Sequence, residues 1–260
     1  MKGKQWSFLA IVSIVLFVGA IRMVANSHQR DMRFIKANPN GIAVVELFTS
    51  EGCSSCPPAD ELLSKLKDEA NPNVVLLAFH VDYWNYLGWK DRFSNPAYSE
   101  RQHKYSQLLH SDVYTPQMIV NGTTQFVGAD EKAARNAINE SLGHAASLSI
   151  TVAPKYNAID RSISIAYDVE GKADGEVLNI ALVQKAALSN VLKGENSGRK
   201  LAHVNVVRDF QTVILNNSTG TVKVTLPDEV TVGDMQVVAY TQLSSNLQVT
   251  GAISVSLSTD

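Results

Sequence analysis

The two cysteines of the chain are separated by two serines, in the segment Cys53-Ser54-Ser55-Cys56. Two thiols at this spacing can close a disulfide and exchange it with the thiols of another protein, or supply half of a tetrahedral metal site. A disulfide that only stiffens this short loop would remove little chain entropy, so stability alone explains it poorly. The residues themselves leave exchange, metal binding and a structural disulfide open.

The segments on either side predict how the pair is positioned. "IAVVELFTS" (42–50) and "NVVLLAFHV" (73–81) are apolar and β-branched, which is typical of buried strands. Between them, "CPPADELLSKLKDEA" (56–70) has prolines where a helix begins and an apolar face of leucines. This order predicts a parallel strand–helix–strand unit with the cysteines at the start of the helix. Cys53 is expected to be exposed, with a thiolate stabilised by the helix dipole, and Cys56 to be shielded as the resolving thiol.

The next part of the chain predicts more α/β structure. Residues 82–112 form a polar and aromatic insertion that becomes helical from Asn95, and "YTPQMIVNGTTQFVG" (114–128) predicts a hairpin turning at Asn121–Gly122. A further helix is expected over 130–145. In the insertion, Trp84 and Trp89 combine apolar rings with a polar edge. They are suited either to holding a peptide or to packing the insertion against the sheet.

From residue 147 the pattern changes to seven short alternating strands separated by turn residues, which predicts a β-sandwich over 147–260. The expected fold is therefore an α/β domain (38–146) followed by an all-β sandwich-like domain.

The net charge of the chain and its N-terminal residues predict the class of partner and the cellular compartment. The net charge is −2, so no basic excess favours nucleic acid as a partner. Lys2 and Lys4 precede an uncharged apolar run over residues 6–21. This layout predicts that residues 1–26 are a signal peptide or an N-terminal anchor in the inner membrane. The rest of the protein is then expected in the periplasm or outside the cell.

The order of elements and the Thr115-Pro116 dipeptide resemble the thioredoxin superfamily. In that superfamily a cis-proline faces the cysteine pair and presents backbone groups to the substrate, which the resemblance places at Pro116, preceded by Thr115. Members of that superfamily also have a buried acid on the strand before the pair, which acts as proton acceptor. The resemblance places this acid at Glu46. Strand alternation puts Glu46 on one face with Val44 and Phe48, although the acid could instead pair with a lysine or lie at an exposed edge.

Four blocks of sequence narrow this resemblance to the secreted bacterial family called domain of unknown function 1223. They are "VVELFTSEGCSSCPPAD", "VDYWNYLGWKDRFSNPAYSERQ", "VYTPQMIVNG" and "GENSGRKLAHVNVVR", spread over residues 44–208. The resemblance implies a thioredoxin-like domain without an established substrate. Serines replace the Gly-Pro of thioredoxin itself between the cysteines, so the direction of the reaction does not follow from it.

A metal site is another alternative use of the cysteines. Zinc would need two further ligands, and His80 at the end of a predicted central strand could complete a copper(I) site. A single histidine at a strand end is more often structural. The sequence therefore predicts no metal and no cofactor.

These observations predict an extracytoplasmic thiol–disulfide oxidoreductase that acts on protein thiols or disulfides. The expected catalytic residues are Cys53, Cys56 and Glu46. The expected substrate-binding residues are Thr115, Pro116, Trp84 and Trp89. The alternative is a non-catalytic binding or scaffold protein that keeps the cysteine pair.

Overall fold

The elements are taken from a computed structural model that describes residues 35–36, 41–171 and 175–258. The helices are α1 (Pro57–Asp68), α2 (Pro96–Leu109) and α3 (Glu131–Leu142), with short 3-10 helices at Asn85–Leu87 and Val232–Asp234. The strands are β1 (Ile35–Lys36), β2 (Ala43–Thr49), β3 (Val74–His80), β4 (Gln117–Val120), β5 (Thr124–Val127), β6 (Ser149–Asn157), β7 (Ser162–Glu170), β8 (Glu176–Asn190), β9 (Lys200–Ile214), β10 (Thr219–Thr225), β11 (Met235–Leu243) and β12 (Val249–Ser256).

These strands form two sheets. A four-stranded sheet has the order β1-β6-β7-β10, and an eight-stranded sheet has the order β12-β11-β8-β9-β3-β2-β4-β5. The larger sheet is mixed, because β2 and β9 both run parallel to β3 whereas its other neighbouring pairs are antiparallel. Strands from the early and late parts of the chain therefore share one hydrogen-bonded sheet.

This shared sheet overturns the predicted fold class. The expectation of an α/β thioredoxin-like domain followed by a separate all-β sandwich-like domain is wrong, because β3 pairs directly with β9 in register Ala78↔Val206. The periodicity of side chains identifies a strand but carries no information about which strand lies beside it. The boundaries 38–146 and 147–260 stay a prediction about segments of sequence, and the sheet runs across them.

The long β8–β9 hairpin joins the two halves of the molecule. Each strand has 15 residues, about three times the usual strand length. At one end, Leu178, Ile180 and Leu182 of β8 pack in the core between the two sheets, with residues of β6, β7, β10, β11 and β12. At the other end the hairpin passes β3 and reaches the connection between β8 and β9, residues 191–199, which contacts the cysteine segment.

The α-helical layer packs on the other part of the large sheet. Leu62, Leu63 and Leu66 of α1 contact the β2 residues Val45 and Leu47 in one core cluster. Val44 and Phe48 face the opposite core, together with Tyr98 and Tyr105 of α2. The predicted alternation of side chains along β2 is confirmed, and both faces of the strand are buried.

The predicted hairpin at Asn121–Gly122 is confirmed by the antiparallel pairing of β4 and β5. Both turn residues have positive φ, 47° at Asn121 and 73° at Gly122. A Cβ at Gly122 would lie 1.9 Å from the carbonyl oxygen of Leu247, so the turn needs glycine for space as well as for conformation.

The expected N-terminal signal or anchor, residues 1–26, lies outside the described residues. Within 35–36, 41–171 and 175–258, no helix is both long and apolar enough to cross a membrane. The compartment therefore stays a prediction from the sequence.

Candidate functional site

Cys53 and Cys56 form a disulfide with their Cα atoms 5.4 Å apart. Cys56 has helical backbone angles and immediately precedes α1, with prolines in the first two positions of that helix. Both cysteines have an exposed fraction of 0%, whereas Ser54 and Ser55 between them are exposed. The expectation that Cys53 is the more exposed thiol is wrong, because the surrounding chain covers both sulfurs.

Part of this cover comes from the backbone of Thr115, which precedes Pro116. The peptide bond between them is cis, as the resemblance implied. The Sγ of Cys53 lies 3.7 Å from the carbonyl oxygen of Thr115 and 3.3 Å from the hydroxyl of Ser55. The Thr115 backbone thus lies next to the first cysteine.

Trp84 and Trp89 contact the residues around the pair. The indole N–H of Trp84 donates to the hydroxyl of Thr115 at 2.7 Å, and that of Trp89 donates to Glu51 Oε2 at 2.6 Å. A Cβ added to Gly52 would lie 2.9 Å from the Cβ of Trp84. Both indoles therefore hold the insertion against the cysteine segment, and substrate contact by either one stays a prediction.

The connection between β8 and β9 forms the other part of the cover. The side-chain amide of Asn196 donates to the carbonyl oxygens of Glu51 and Cys53, at 2.9 Å each. Glu195 accepts a hydrogen bond from the backbone N–H of Ser54 at 3.0 Å, and this bonding lowers the pKa of Glu195. Two buried hydrogen bonds and one exposed hydrogen bond therefore attach this connection to the cysteine segment.

Five buried titratable side chains lie beside the pair, and together we call them the acid–histidine cluster: Glu51, Asp60, His80, Asp91 and His203. His80 Nδ1 is 2.6 Å from Asp91 Oδ2, which also accepts the backbone N–H of Glu51 at 2.9 Å. His203 lies between two carboxylates, 3.5 Å from Glu51 Oε1 and 3.7 Å from Asp60 Oδ2. The two imidazole centroids are 4.8 Å apart.

The carboxylates determine the charge of this cluster. Burial disfavours an imidazolium, but the adjacent Asp60 and Glu51 outweigh that cost and raise the pKa of His203 to about 10. Burial likewise opposes ionisation of Asp91, but the charge and hydrogen bond of His80 hold the pKa of Asp91 below its ordinary value. At neutral pH, His203 is therefore a buried cation between two acids.

Glu46 belongs to a different buried network. Arg101 donates to both of its carboxylate oxygens, at 2.6 and 2.9 Å, and the hydroxyl of Tyr105 donates at 2.5 Å. Burial disfavours the charge on Arg101, but the adjacent Glu46 outweighs that cost and raises the pKa of Arg101. The carboxylate of Glu46 thus balances an arginine, and its role as proton acceptor stays a prediction.

The sequence reasoning missed most of the acid–histidine cluster. The sequence suggests a ligand role for His80 alone, and it places His203 in the block "GENSGRKLAHVNVVR" without predicting a role for it. Glu51 and Asp60 lie inside the block "SEGCSSCPPAD", two residues before Cys53 and four after Cys56. Asp60 also stands among the apolar residues on the buried face of α1, a position at which a charge needs a partner.

Comparison with known proteins places the chain in a family. The family model described as "Protein of unknown function (DUF1223)" matches residues 44–242. The chain belongs to this family. The matched span includes the cysteine pair, the acid–histidine cluster and residues 191–199.

Two solved structures share the fold with this DUF1223 protein. A crystal structure of a protein from Agrobacterium tumefaciens is 31% identical, with a TM-score of 0.62, covering 86% of this chain and 98% of that one. HBP35 of Porphyromonas gingivalis is 20% identical, with a TM-score of 0.62, covering 85% of this chain and 76% of that one. No curated protein matches the chain.

Among residues 35–36, 41–171 and 175–258, no group of three or more His, Cys, Asp or Glu side chains is arranged to hold a metal ion. In the acid–histidine cluster, the side chains pair with one another as acids and bases.

Proposed function

We propose that this DUF1223 protein exchanges its Cys53–Cys56 disulfide with the thiols or disulfides of other proteins outside the cytoplasm. The observation that carries the proposal is the position of the disulfide, directly before a helix N-terminus and beside the Thr115 carbonyl. Free N–H groups at such a terminus stabilise a thiolate. The exported compartment follows from Lys2, Lys4 and the apolar run, and disulfides persist there.

Cys53 is the sulfur that joins the partner in this proposal. It lies beside the hydroxyl of exposed Ser55, which can donate a hydrogen bond to its thiolate, and beside the Thr115 carbonyl, which can accept a hydrogen bond from its thiol. Cys56 is closer to the helix body and resolves the mixed disulfide. Because both sulfurs are buried, a partner must first move the exposed segment Ser54–Ser55 or residues 191–199.

The burial of both cysteines also supports a rival, in which the disulfide is structural and the protein is a binding or scaffold protein. Redox potential separates the two. A reduction potential below about −300 mV is typical of structural disulfides, and a higher value is typical of exchangers. We expect the higher value for the full-length protein equilibrated in glutathione buffers.

Trapping of partners is the direct test. A Cys56→Ser variant of the full-length chain should accumulate mixed disulfides between Cys53 and partner proteins, seen as heavier bands that disappear on reduction. The matched Cys53→Ser variant should trap far fewer. If neither variant traps partners and the wild-type disulfide resists glutathione, the exchange proposal is wrong and the rival is supported.

A further inference from the structure

Asp60 shares the first turn of α1 with Cys56. Its backbone N–H donates to the Cys56 carbonyl at 3.2 Å, so the two residues are one helical turn apart. Side chains four positions apart project from the same face of a helix, roughly 5–6 Å between Cβ atoms. Asp60 is also buried, with an exposed fraction of 7%. The resolving cysteine therefore has a buried carboxylate as its neighbour.

Two described groups approach one oxygen of this carboxylate, both at long distances. Thr49 donates to Asp60 Oδ2 at 3.4 Å, and His203 Nδ1 lies 3.7 Å from the same oxygen. Both nitrogens of His203 and Glu51 Oε1 are buried without a hydrogen-bond partner among the described residues. At these distances His203 balances the two acids by charge and not through hydrogen bonds.

The trio contains more acids than bases. Two carboxyl groups, Glu51 and Asp60, flank one imidazole, His203, and all three side chains are buried. Reduction of Cys53–Cys56 would form two thiols, and the thiol of Cys56 would lie one helical turn from Asp60.

We propose that Asp60 accepts the proton of the Cys56 thiol during disulfide exchange, and that His203, held by Glu51, positions the Asp60 carboxylate for this step. The inference rests on the proposed function and adds a proton acceptor to it. Glu46, which the sequence suggested for this role, has its hydrogen bonds with Arg101 and Tyr105.

In the resolving step, Cys56–SH gives its proton to the Asp60 carboxylate, and the Cys56 sulfur attacks the Cys53 sulfur of the mixed disulfide. The Cys53–Cys56 bond forms while the bond between Cys53 and the partner protein breaks. The electron pair leaves with the partner sulfur as a thiolate, which takes a proton from solvent. The cysteine pair is oxidised, and the partner's original disulfide is reduced.

Other charged groups near His203 must be included in any pH profile. His80 and Asp91 face it from β3 and the insertion, and Phe93 lies between this pair and the guanidinium groups of Arg92 and Arg208. His80 and Asp91 bond to each other, so they form a second pair beside the trio. A change in the pH profile that is due to Asp60 must therefore be identified by comparing the profiles of wild type and variants.

The experiment is stopped-flow oxidation of the reduced full-length protein by an aromatic disulfide that releases a coloured thiolate. The first phase reports attack by Cys53 and depends on reagent concentration. The second reports attack by Cys56 on the mixed disulfide, and it is independent of that concentration because it is intramolecular. Its rate is recorded across pH for wild type, Asp60→Asn, Asp60→Glu, His203→Gln and the control Glu176→Gln. Glu176 is also buried but lies at the opposite end of β8 from residues 191–199.

We expect Asp60→Asn to slow the second phase at neutral pH by about a hundredfold, the low end of what a positioned general base contributes. Its rate should then rise with hydroxide concentration. Asp60→Glu should recover part of the rate, and His203→Gln should move the midpoint of the pH profile. Glu176→Gln should match wild type. A variant that does not fold is replaced in this comparison by Asp60→Glu and His203→Gln, whose altered profiles carry the same conclusion.

Two results would overturn the inference, and they differ in what they say about the proposed function. If wild type shows the second phase and Asp60→Asn leaves its rate and pH profile unchanged, exchange stands but Asp60 is not the acceptor. If Glu46→Gln slows the second phase instead, the proton acceptor is Glu46. If wild type shows no second phase, Cys56 does not resolve mixed disulfides, and the proposed function fails together with the inference.

Discussion

The side-chain amide of Asn196 donates a 2.9 Å hydrogen bond to the carbonyl oxygen of Cys53, across 143 positions of sequence. The same amide nitrogen bonds to the Glu51 carbonyl. Residues 191–199 reach the cysteine segment because the long β8–β9 hairpin extends past β3. The second half of the chain therefore supplies part of the surroundings of a disulfide that lies in the first half.

Replacing Asn196 with Ala should destabilise the protein and expose the disulfide. Two buried carbonyls would lose the hydrogen bond from Asn196, although the Cys53 carbonyl keeps the one from the Cys56 N–H. Leaving the buried Glu51 carbonyl without this donor costs about 1–3 kcal/mol. The free energy of unfolding in urea should fall accordingly, and reduction of the disulfide should become faster. Asn216→Ala at an exposed position is the control, and it should change stability by less than about 0.5 kcal/mol. Equal effects of the two variants would contradict a role for Asn196 in the cover.

Replacing Glu195 with Gln should speed reduction of the disulfide by a phosphine without changing stability measurably. The Glu195 carboxylate accepts from Ser54 N–H at an exposed place, and this bonding lowers its pKa. A lowered pKa means that the contact is present above the ordinary carboxyl pKa of 4.5 and is lost as pH falls through the folded-state value. Acidification should therefore speed reduction of wild type more than of the variant. Glu140→Gln, also exposed, should react like wild type.

His203 should make stability fall as the pH rises above neutrality. Its pKa is raised from 6.5 to about 10, so its contribution is complete below pH 6.5 and is lost as pH approaches 10. The urea midpoint of wild type should decrease over this range. The His203→Gln variant should be less stable at pH 6 and should show a flatter profile. A parallel decrease in both proteins would assign the pH dependence to other groups.

Breaking the Glu46–Arg101 pair should be among the more costly single changes. The side chains are 1% and 10% exposed, so Glu46→Gln would leave a buried guanidinium without its counter-charge. Loss of one partner of a buried pair costs about 3–5 kcal/mol. The double variant Glu46→Gln/Arg101→Met should recover part of this loss, as measured by urea unfolding in a double-mutant cycle. Additive losses would show that the pair is not coupled.

Several features of the site could be predicted from local sequence. The strand, the helix with its two prolines and the Cys-Ser-Ser-Cys segment between them all follow from side-chain period and helix-start chemistry, which depend on near neighbours. The turn at Asn121–Gly122 was predictable for the same reason, because its residues tolerate positive φ. The family relationship was also carried by residues that can be read in short blocks.

Contacts over long sequence distances decided the rest. Periodicity marks 200–214 as a strand, but only the fold shows that Val206 lies beside Ala78 and makes one sheet of two expected domains. The burial of Cys53, the pairing of Glu46 with Arg101 and the meeting of His203 with Glu51 and Asp60 follow from that arrangement. The sequence by itself determined the cysteine pair and the local elements that present it, because those depend on adjacent residues. Only the tertiary structure decided what covers the pair and which acids lie beside it, because strand pairing brings together residues that local patterns do not connect.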